Sequence, residues 1–324
     1  MTARILRLGS LTARLHAPPS LGGDIAYIFG TSLKPATQDL LAHLDAVITV
    51  SDSPDSGSAS VPSLPPDGMA VRHGYPVSTI HTEALSVTID HAAAPLQVRL
   101  TVRRADLAHF DLCVHLAVVL HKILFLLDRV VLHAAAVRIA GRVAIFIGDR
   151  GAGKTTTALA LSRAGGTVLS EDHLILRRAG AGFLVSGCDE RWRVDERTER
   201  HFFESPLPVE PSDYAGRMKK EVVVRPGVES LPYSDERPTQ LFFLRAGSHF
   251  EIRPLARGVT VLRLMEAAGR LQRFVDADDR QRFLAMLSDF APTITPWAME
   301  RSDNLADLEQ LVDFMREGVV TAPA

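Results

Sequence analysis

One segment, "GDRGAGKT" from Gly148 to Thr155, restricts the possible folds of this chain more than any other. It matches in full the pattern G-x-x-x-x-G-K-[ST], a glycine-rich loop that wraps phosphate groups. The run "RVAIFIG" before it is typical of a buried strand, and "KTTTALALSRAGG" after it is typical of a helix that ends at glycine. This order of strand, loop and helix predicts a nucleotide-binding α/β domain around the segment, which we name the glycine loop.

The residue types of the glycine loop fit polyphosphate binding. Gly151 and Gly153 let the backbone curl so that successive N–H groups point inward, and the following helix adds the positive end of its dipole. Lys154 supplies a positive charge for the β- and γ-phosphates, and the Thr155 hydroxyl is a ligand for Mg²⁺. The predicted nucleotide contacts are Gly148, Asp149, Arg150, Gly151, Ala152, Gly153, Lys154, Thr155 and Thr156.

The loop alone does not define a reaction, because transporters, switches and kinases all use it. A transporter-type ATPase needs an LSGGQ-like signature and an apolar run that ends in Asp-Glu far downstream, and a switch GTPase needs an N-K-x-D segment. The sequence contains none of these. The reaction must therefore be inferred from the residues around the loop.

The segment "GTVLSEDHLILRR" places two acids, Glu171 and Asp172, at the end of a short apolar strand after the loop's helix. In a βαβ unit this strand end lies beside the glycine loop, because the C-terminal ends of neighbouring parallel strands share one edge. One carboxylate suits Mg²⁺ binding, and the other suits accepting the proton of an attacking hydroxyl. His133 precedes "AAAVRIAGRVAIFIG", which predicts two strands joined by a turn at Ala140 and Gly141. Such a hairpin returns the histidine toward the loop.

This combination resembles the catalytic domain of the HPr kinase/phosphorylase family, within the phosphoenolpyruvate-carboxykinase-like group of phosphate-loop enzymes. That family has a histidine fifteen residues before the loop, an "ADD"-like strand end after the loop's helix and a later "VRPG" segment. Here His133 precedes Gly148 by the same interval, the acids lie in "LSED", and "VVVRPG" occupies residues 222–227. The resemblance covers roughly residues 130–255.

The resemblance implies a role for each matching residue. Glu171 matches the catalytic acid–base carboxylate, and Asp172 matches the acid beside it that serves the metal. His133 matches a histidine that tunes that carboxylate, and Arg225 falls where the family places an arginine near the transferred phosphate. Further candidates for neutralising the phosphate are Lys219 and Lys220.

Two departures change what the resemblance implies. Glu171 stands where the family has Asp, which lengthens the side chain by one methylene and keeps its chemistry. The family's "E-[IV]-R-G-[LM]-G" signature is absent, and the comparable interval reads "SGCDERWRVDERTERHFFESP". HPr itself is therefore not the expected acceptor, and the chain looks more like the stand-alone relatives of HPr kinase.

The functional expectation is an ATP- and Mg²⁺-dependent kinase that phosphorylates a hydroxyl, either a serine of a peptide or protein or a serine-like small molecule. Two alternatives remain open. One is a small-molecule kinase for a natural product or metabolite. The other is a nucleotide-binding regulatory module that transfers nothing and docks a partner. ATP and GTP are not distinguished, because no base-reading motif is visible.

The fold expectation is α/β (α+β), with an HPr-kinase/phosphoenolpyruvate-carboxykinase-like catalytic domain. Residues 1–130 form a β-rich region for substrate or partner that ends in the long helix "DLAHFDLCVHLAVVLHKILFLLDR", and residues 131–324 form the kinase domain. "SDSPDSGSASVPSLPPDG" (51–68) predicts a flexible loop. After about residue 255, three segments with apolar residues at helical spacing predict a helical C-terminus.

Composition excludes several other classes. A net charge of −2 and a pI near 6.6 give no electrostatic case for nucleic acid. "LAVVLHKILFLL" is too short to span a bilayer and contains His121 and Lys122, so we expect no membrane partner. Two cysteines imply no disulfide framework, and the N-terminus has no apolar core typical of a secretion signal, so we expect a cytoplasmic protein. A homo-oligomer is compatible with the sequence but not required by it.

Overall fold

The chain divides into two units in the computed structural model. One comprises Met1–Arg129 with Arg270–Asp278, and the other comprises Val130–Gly269 with Asp279–Ala324. The structure describes residues 2–8, 11–21, 33–35, 41–52, 69–72, 74–82, 85–102, 119–180, 182–187, 191–207, 212–214, 217–223, 228–231, 239–268 and 277–317.

The first unit is built on one mixed β-sheet of eight strands. Its spatial order is β3-β1-β2-β4-β8-β7-β6-β5; β2, β4 and β8 run parallel, and the other pairs are antiparallel. A helix, α1, covers residues 119–126. The strands are β1 (Thr2–Leu8), β2 (Leu11–Ala17), β3 (Leu33–Pro35), β4 (Ala46–Asp52), β5 (Met69–Arg72), β6 (Val77–Thr82), β7 (Leu85–Asp90) and β8 (Leu96–Val102).

Alternation of apolar and polar residues explains why these segments form strands. In β2 and β7 every second side chain is buried and those between are partly exposed, as expected when one face of a sheet covers a core. This agrees with the mainly β region expected from the sequence. In the same unit the guanidinium of Arg129, 4% exposed, lies 2.8 Å from the Asp45 carboxylate.

The second unit has a larger mixed sheet, ordered β17-β13-β12-β9-β10-β18-β20-β19, with β11 paired to β9. A separate three-stranded sheet has the order β14-β16-β15. The strands are β9 (Arg129–Ile139), β10 (Arg142–Gly148), β11 (Thr167–Ser170), β12 (His173–Ala179), β13 (Gly182–Gly187), β14 (Arg191–Val194), β15 (Ser212–Tyr214), β16 (Arg217–Val223), β17 (Val228–Leu231), β18 (Thr239–Ala246), β19 (Glu251–Pro254) and β20 (Ile294–Arg301).

Helices of the second unit flank this sheet. The stacked rings of Phe146 and Phe242, 5.2 Å between centroids and both fully buried, join β10 to β18 at the centre of the core. The helices are α2 (Lys154–Arg163), α3 (Glu196–Phe202), α4 (Arg257–Ala267), α5 (Ala277–Phe290) and α6 (Leu308–Glu317). α2 packs against α6, whose buried residues Leu311 and Met315 belong to the same core.

The chain is therefore mixed α/β, as expected at that level. The strand–loop–helix order around the glycine loop and the β9–β10 hairpin both match the sequence expectation. Ala140 and Gly141, at the hairpin turn, have φ angles of 51° and 72°, the left-handed values that a two-residue turn of this kind requires. No helix among the described residues has the length and apolar character needed to cross a membrane.

Two details differ from the sequence expectation. β11 does not neighbour β10, because β10 pairs with β9 on one side and with β18 on the other, and β11 pairs with β9. The region after residue 255 is not entirely helical, because β20 is a strand of the sheet and lies between β18 and the edge strand β19. Of the helix expected at 106–129, the structure describes residues 119–129, and only 119–126 are helical. The loop expected at 51–68 lies outside the described residues except for its first two.

Candidate functional site

The glycine loop begins where β10 ends and closes as the first turn of α2. Gly151 and Gly153 have φ angles of 87° and 96°, in the left-handed region that glycine tolerates best. The Ala152 N–H donates to the carbonyl of Asp149 at 3.1 Å, which makes a tight turn within the loop. Gly153 is the N-cap of α2, and its carbonyl accepts the first helical hydrogen bond, from Thr157. The backbone therefore has the curl and the helix start that an anion site needs.

Lys154 is folded onto the loop that precedes it. Its side chain is 7% exposed, and its Nζ donates to the carbonyl oxygens of Gly148 at 2.7 Å and of Asp149 at 3.3 Å. The ammonium group is thus held against the loop backbone, where a bound phosphate would meet it. Asp149 and Arg150, also predicted contacts, have exposed side chains on the same loop.

The two threonines at the start of α2 have different partners. The Thr155 hydroxyl donates a hydrogen bond to Oε1 of Glu171, whose side chain is largely buried. The Thr156 hydroxyl instead lies 2.9 Å from that of Thr198 on α3. Thr155 therefore joins the glycine loop directly to the predicted acid, and Thr156 joins α2 to its neighbouring helix.

Asp172 lies beside His133. The Nδ1 atom of His133 is 2.9 Å from Oδ1 of Asp172, and Nδ1 of His173 is 3.9 Å from Oδ2. The His133 contact is within ion-pair distance but lacks the geometry of a hydrogen bond. Burial raises the pKa of Asp172, but the contact with His133 and the positive charges of His173 and Lys154 together hold that pKa well below its usual range.

The strands explain why these groups meet. In the β9–β10 ladder Ala134 pairs with Ile147, so His133 and Gly148 are the next residues along the two strands. The Ala134 N–H donates to the carbonyl of Asp172 at 3.0 Å, and the Ser170 hydroxyl donates to the carbonyl of Ala134 at 3.2 Å. β9 therefore bridges the glycine loop on one side and the acids on the other.

The chemistry of this donor set suits a hard divalent cation. Thr155, Glu171 and Asp172 offer hydroxyl and carboxylate oxygens, which Mg²⁺ prefers. In the part of the chain that the structure describes, no three or more His, Cys, Asp or Glu side chains cluster to hold a metal by themselves. In nucleotide sites generally, Mg²⁺ is bound through one or two protein oxygens, with phosphates and water completing the shell.

The structure does not describe the side chains of three residues with predicted roles. Arg225 lies outside the described residues. Lys219 and Lys220 belong to β16, which pairs with β14 and β15 in the small sheet, and their side chains are not among those described. Their predicted roles stay predictions.

Arg301, which sequence reasoning missed, lies against the glycine loop. A Cβ atom built on Gly153 would be only 2.6 Å from Cζ and 2.7 Å from Nη1 of this arginine. Burial lowers the pKa of Arg301, although arginine stays protonated at neutral pH. The available signal was the strand pattern of "ITPWAMER", but Pro296 within it argued against a strand.

No protein-family model matches the chain, and no curated protein matches its sequence. The site is therefore defined by its own geometry: a curled glycine loop, a lysine, and two acids that contact the loop's threonine and a histidine.

Proposed function

We propose that this protein is an ATP- and Mg²⁺-dependent kinase that transfers the γ-phosphoryl group to a hydroxyl, with a catalytic domain of the HPr-kinase/phosphoenolpyruvate-carboxykinase-like type. The observation that carries the proposal is the hydrogen bond from Thr155 to Glu171. It ties an acid from the end of β11 to the first turn of α2, where the terminal phosphates of a nucleotide would be bound.

In the proposed reaction Glu171 accepts the proton of the acceptor hydroxyl as its oxygen attacks the γ-phosphorus. A new P–O bond forms, the bond from that phosphorus to the β–γ bridging oxygen breaks, and ADP leaves. Lys154 neutralises charge on the β- and γ-phosphates throughout. Mg²⁺, held by Thr155 and Asp172 with the phosphates, would withdraw negative charge from the transferring group.

The different surroundings of the two acids support this division of roles. The lowered pKa of Asp172 makes it a weak proton acceptor but keeps it ionised, which suits a metal ligand. An oxygen of Glu171 already accepts a hydrogen from a hydroxyl, that of Thr155. It is therefore oriented for the interaction that a base makes with an acceptor alcohol.

The acceptor class follows from the same resemblance and its departures. A serine of a peptide or a serine-like small molecule is the proposed acceptor, and HPr is not, because the HPr-directed signature is absent. The cytoplasm is the proposed compartment, because two cysteines give no disulfide framework. Arg225 remains the proposed arginine of the transferred phosphate.

The test incubates the full chain with γ-labelled ATP, Mg²⁺ and a panel of serine peptides and small hydroxyl compounds. Glu171→Gln should lower transfer about 10³-fold, the scale expected when one such group is lost. Lys154→Met should abolish it, and Glu204→Gln, at an exposed position after α3, should have no effect. If Glu171→Gln transfers phosphate as fast as wild type, Glu171 is not the general base.

Two further outcomes decide between classes of function. Nucleotide binding without labelled product in any acceptor identifies a binding module rather than a kinase. If Lys154→Met still binds nucleotide and still transfers phosphate, the glycine loop is not the nucleotide site.

A further inference from the structure

The sheet brings Arg301 to the glycine loop from a distant part of the chain. β10, β18 and β20 are parallel neighbours, so their C-terminal ends lie at one edge. Gly148 pairs with Leu244, and two residues further along β18 Ala246 pairs with Arg301. Arg301 is thus the last residue of a strand that ends where the loop begins, the edge at which α/β sheets bind ligands.

The guanidinium of Arg301 occupies the space beside Gly153. Cζ, Nη1 and Nε of Arg301 all lie within 2.9 Å of where a Cβ atom of Gly153 would stand. Gly153 therefore meets two constraints, its left-handed φ of 96° and the close approach of the arginine. Arg301 lies against Gly153 at the end of the glycine loop, and the ammonium group of Lys154 lies against Gly148 and Asp149 at its start.

Arg301 has an unused donor at this point. Among the described residues its Nη1 atom is inaccessible to solvent and has no hydrogen-bond partner. A buried N–H of a charged group without a partner destabilises the protein, and more so than a neutral one. An incoming anion with exposed oxygens would remove that cost, and arginine presents its N–H groups in a fork that fits phosphate.

The acids near Arg301 already have other partners. Oδ1 of Asp303 lies 3.2 Å from Nη1 of Arg197, and the Asp303 carbonyl accepts from the same guanidinium. Oδ1 of Asp195 accepts the N–H of Thr198 at 2.7 Å as the N-cap of α3. Their negative charges act on Arg301, but neither acid forms a hydrogen bond with its Nη1 atom.

From these observations we infer that Arg301 is a phosphate-binding residue of the nucleotide site, and that its guanidinium donates to the polyphosphate beside Gly153. The inference rests on the proposed function, since it needs nucleotide at the glycine loop. It adds a second fixed cation to Lys154, supplied by the C-terminal end of a strand 147 residues further along the chain.

The test is isothermal titration calorimetry of the full chain with MgATP and, separately, with inorganic tripolyphosphate, which has no base or ribose. Arg301→Gln should weaken both affinities tenfold or more, and Arg301→Lys should lie between, because lysine keeps the charge but loses the fork. The control is Arg245→Gln. Arg245 lies one residue before the register partner of Arg301, is exposed and pairs with Glu300, so both affinities should stay within twofold of wild type.

Each outcome decides the inference. If wild type binds both ligands and Arg301→Gln binds them equally well, the inference is wrong and the proposed function stands. If only MgATP binding weakens, Arg301 contacts the nucleoside and the phosphate assignment is wrong. If wild type binds neither ligand, the proposed function fails and the inference with it. If circular dichroism shows that Arg301→Gln is unfolded, the test uses Arg301→Lys instead. Wild-type affinity for both ligands in a folded Arg301→Lys variant overturns the inference.

Discussion

Nδ1 of His133 lies 2.9 Å from Oδ1 of Asp172, and this contact joins β9 to the pair of acids after β11. The histidine does not need to touch substrate to matter, because it orients the carboxylate and keeps it ionised.

We therefore expect His133→Ala to lower kcat about 10- to 100-fold, the usual cost of removing a partner that orients a metal-binding carboxylate. The measurement is steady-state transfer at saturating MgATP. His201→Ala is the matched control, because His201 is an exposed histidine on α3. Equal loss in both variants would assign the effect to folding rather than to Asp172.

Asp172 should also stabilise the fold in a pH-dependent way. Its folded pKa lies below the unfolded value of about 3.9, so its stabilising contribution is complete above that pH and is lost as the pH falls toward the folded value. Thermal unfolding of wild type and Asp172→Asn should show wild type more stable between pH 5 and 8, with the gap narrowing below pH 4. A gap that widens in acid would contradict the lowered pKa.

The adjacent threonines Thr155 and Thr156 give a paired test of the proposed Mg²⁺ site. Thr155→Val removes the hydroxyl that contacts Glu171, and we expect the Mg²⁺ concentration for half-maximal activity to rise tenfold or more, with recovery in Thr155→Ser. Thr156→Val removes a buried hydrogen bond to Thr198 and should cost about 1–3 kcal/mol of stability without changing the Mg²⁺ requirement. Magnesium titrations and urea unfolding separate the two effects.

Gly187 on β13 packs closely against β11, the strand that precedes Glu171 and Asp172. A Cβ atom there would collide with the Leu169 carbonyl and approach Cα of Ser170 at 2.8 Å, so β13 and β11 fit together only with glycine at this position. Gly187→Ala should cost about 3 kcal/mol and also displace Glu171. Gly151→Ala meets no atom within 4 Å and should cost only the left-handed strain, about 1 kcal/mol. Urea unfolding tests both, and equal costs would show that the packing at Gly187 is loose.

The parts of the site that lie close together in the chain were predictable from sequence. The loop, its strand and its helix are one continuous segment, and the turn at Ala140 and Gly141 follows from local backbone preferences. The acids were also found, because they follow a short apolar strand.

The features that the sequence did not reveal depend on which strands are neighbours in the folded sheet. The resemblance implies that His133 serves Glu171, whereas the contact in the structure is between His133 and Asp172. Neighbouring residues at a strand end point in different directions, and a sequence does not reveal which one faces a given partner strand. Arg301 was missed for a similar reason, because its position beside the glycine loop depends on β20 lying two strands away from β10 in the sheet.

The position of β20 has a consequence for biosynthesis. Its last residue is translated 153 residues after Gly148, and at about 5–20 residues per second a ribosome needs on the order of ten seconds or more to travel that distance. During that interval the nascent polypeptide carries the whole "GDRGAGKT" signature but no neighbour for the outer edge of β18. On the proposed function, full nucleotide affinity therefore requires that β20 has been translated and has paired with β18.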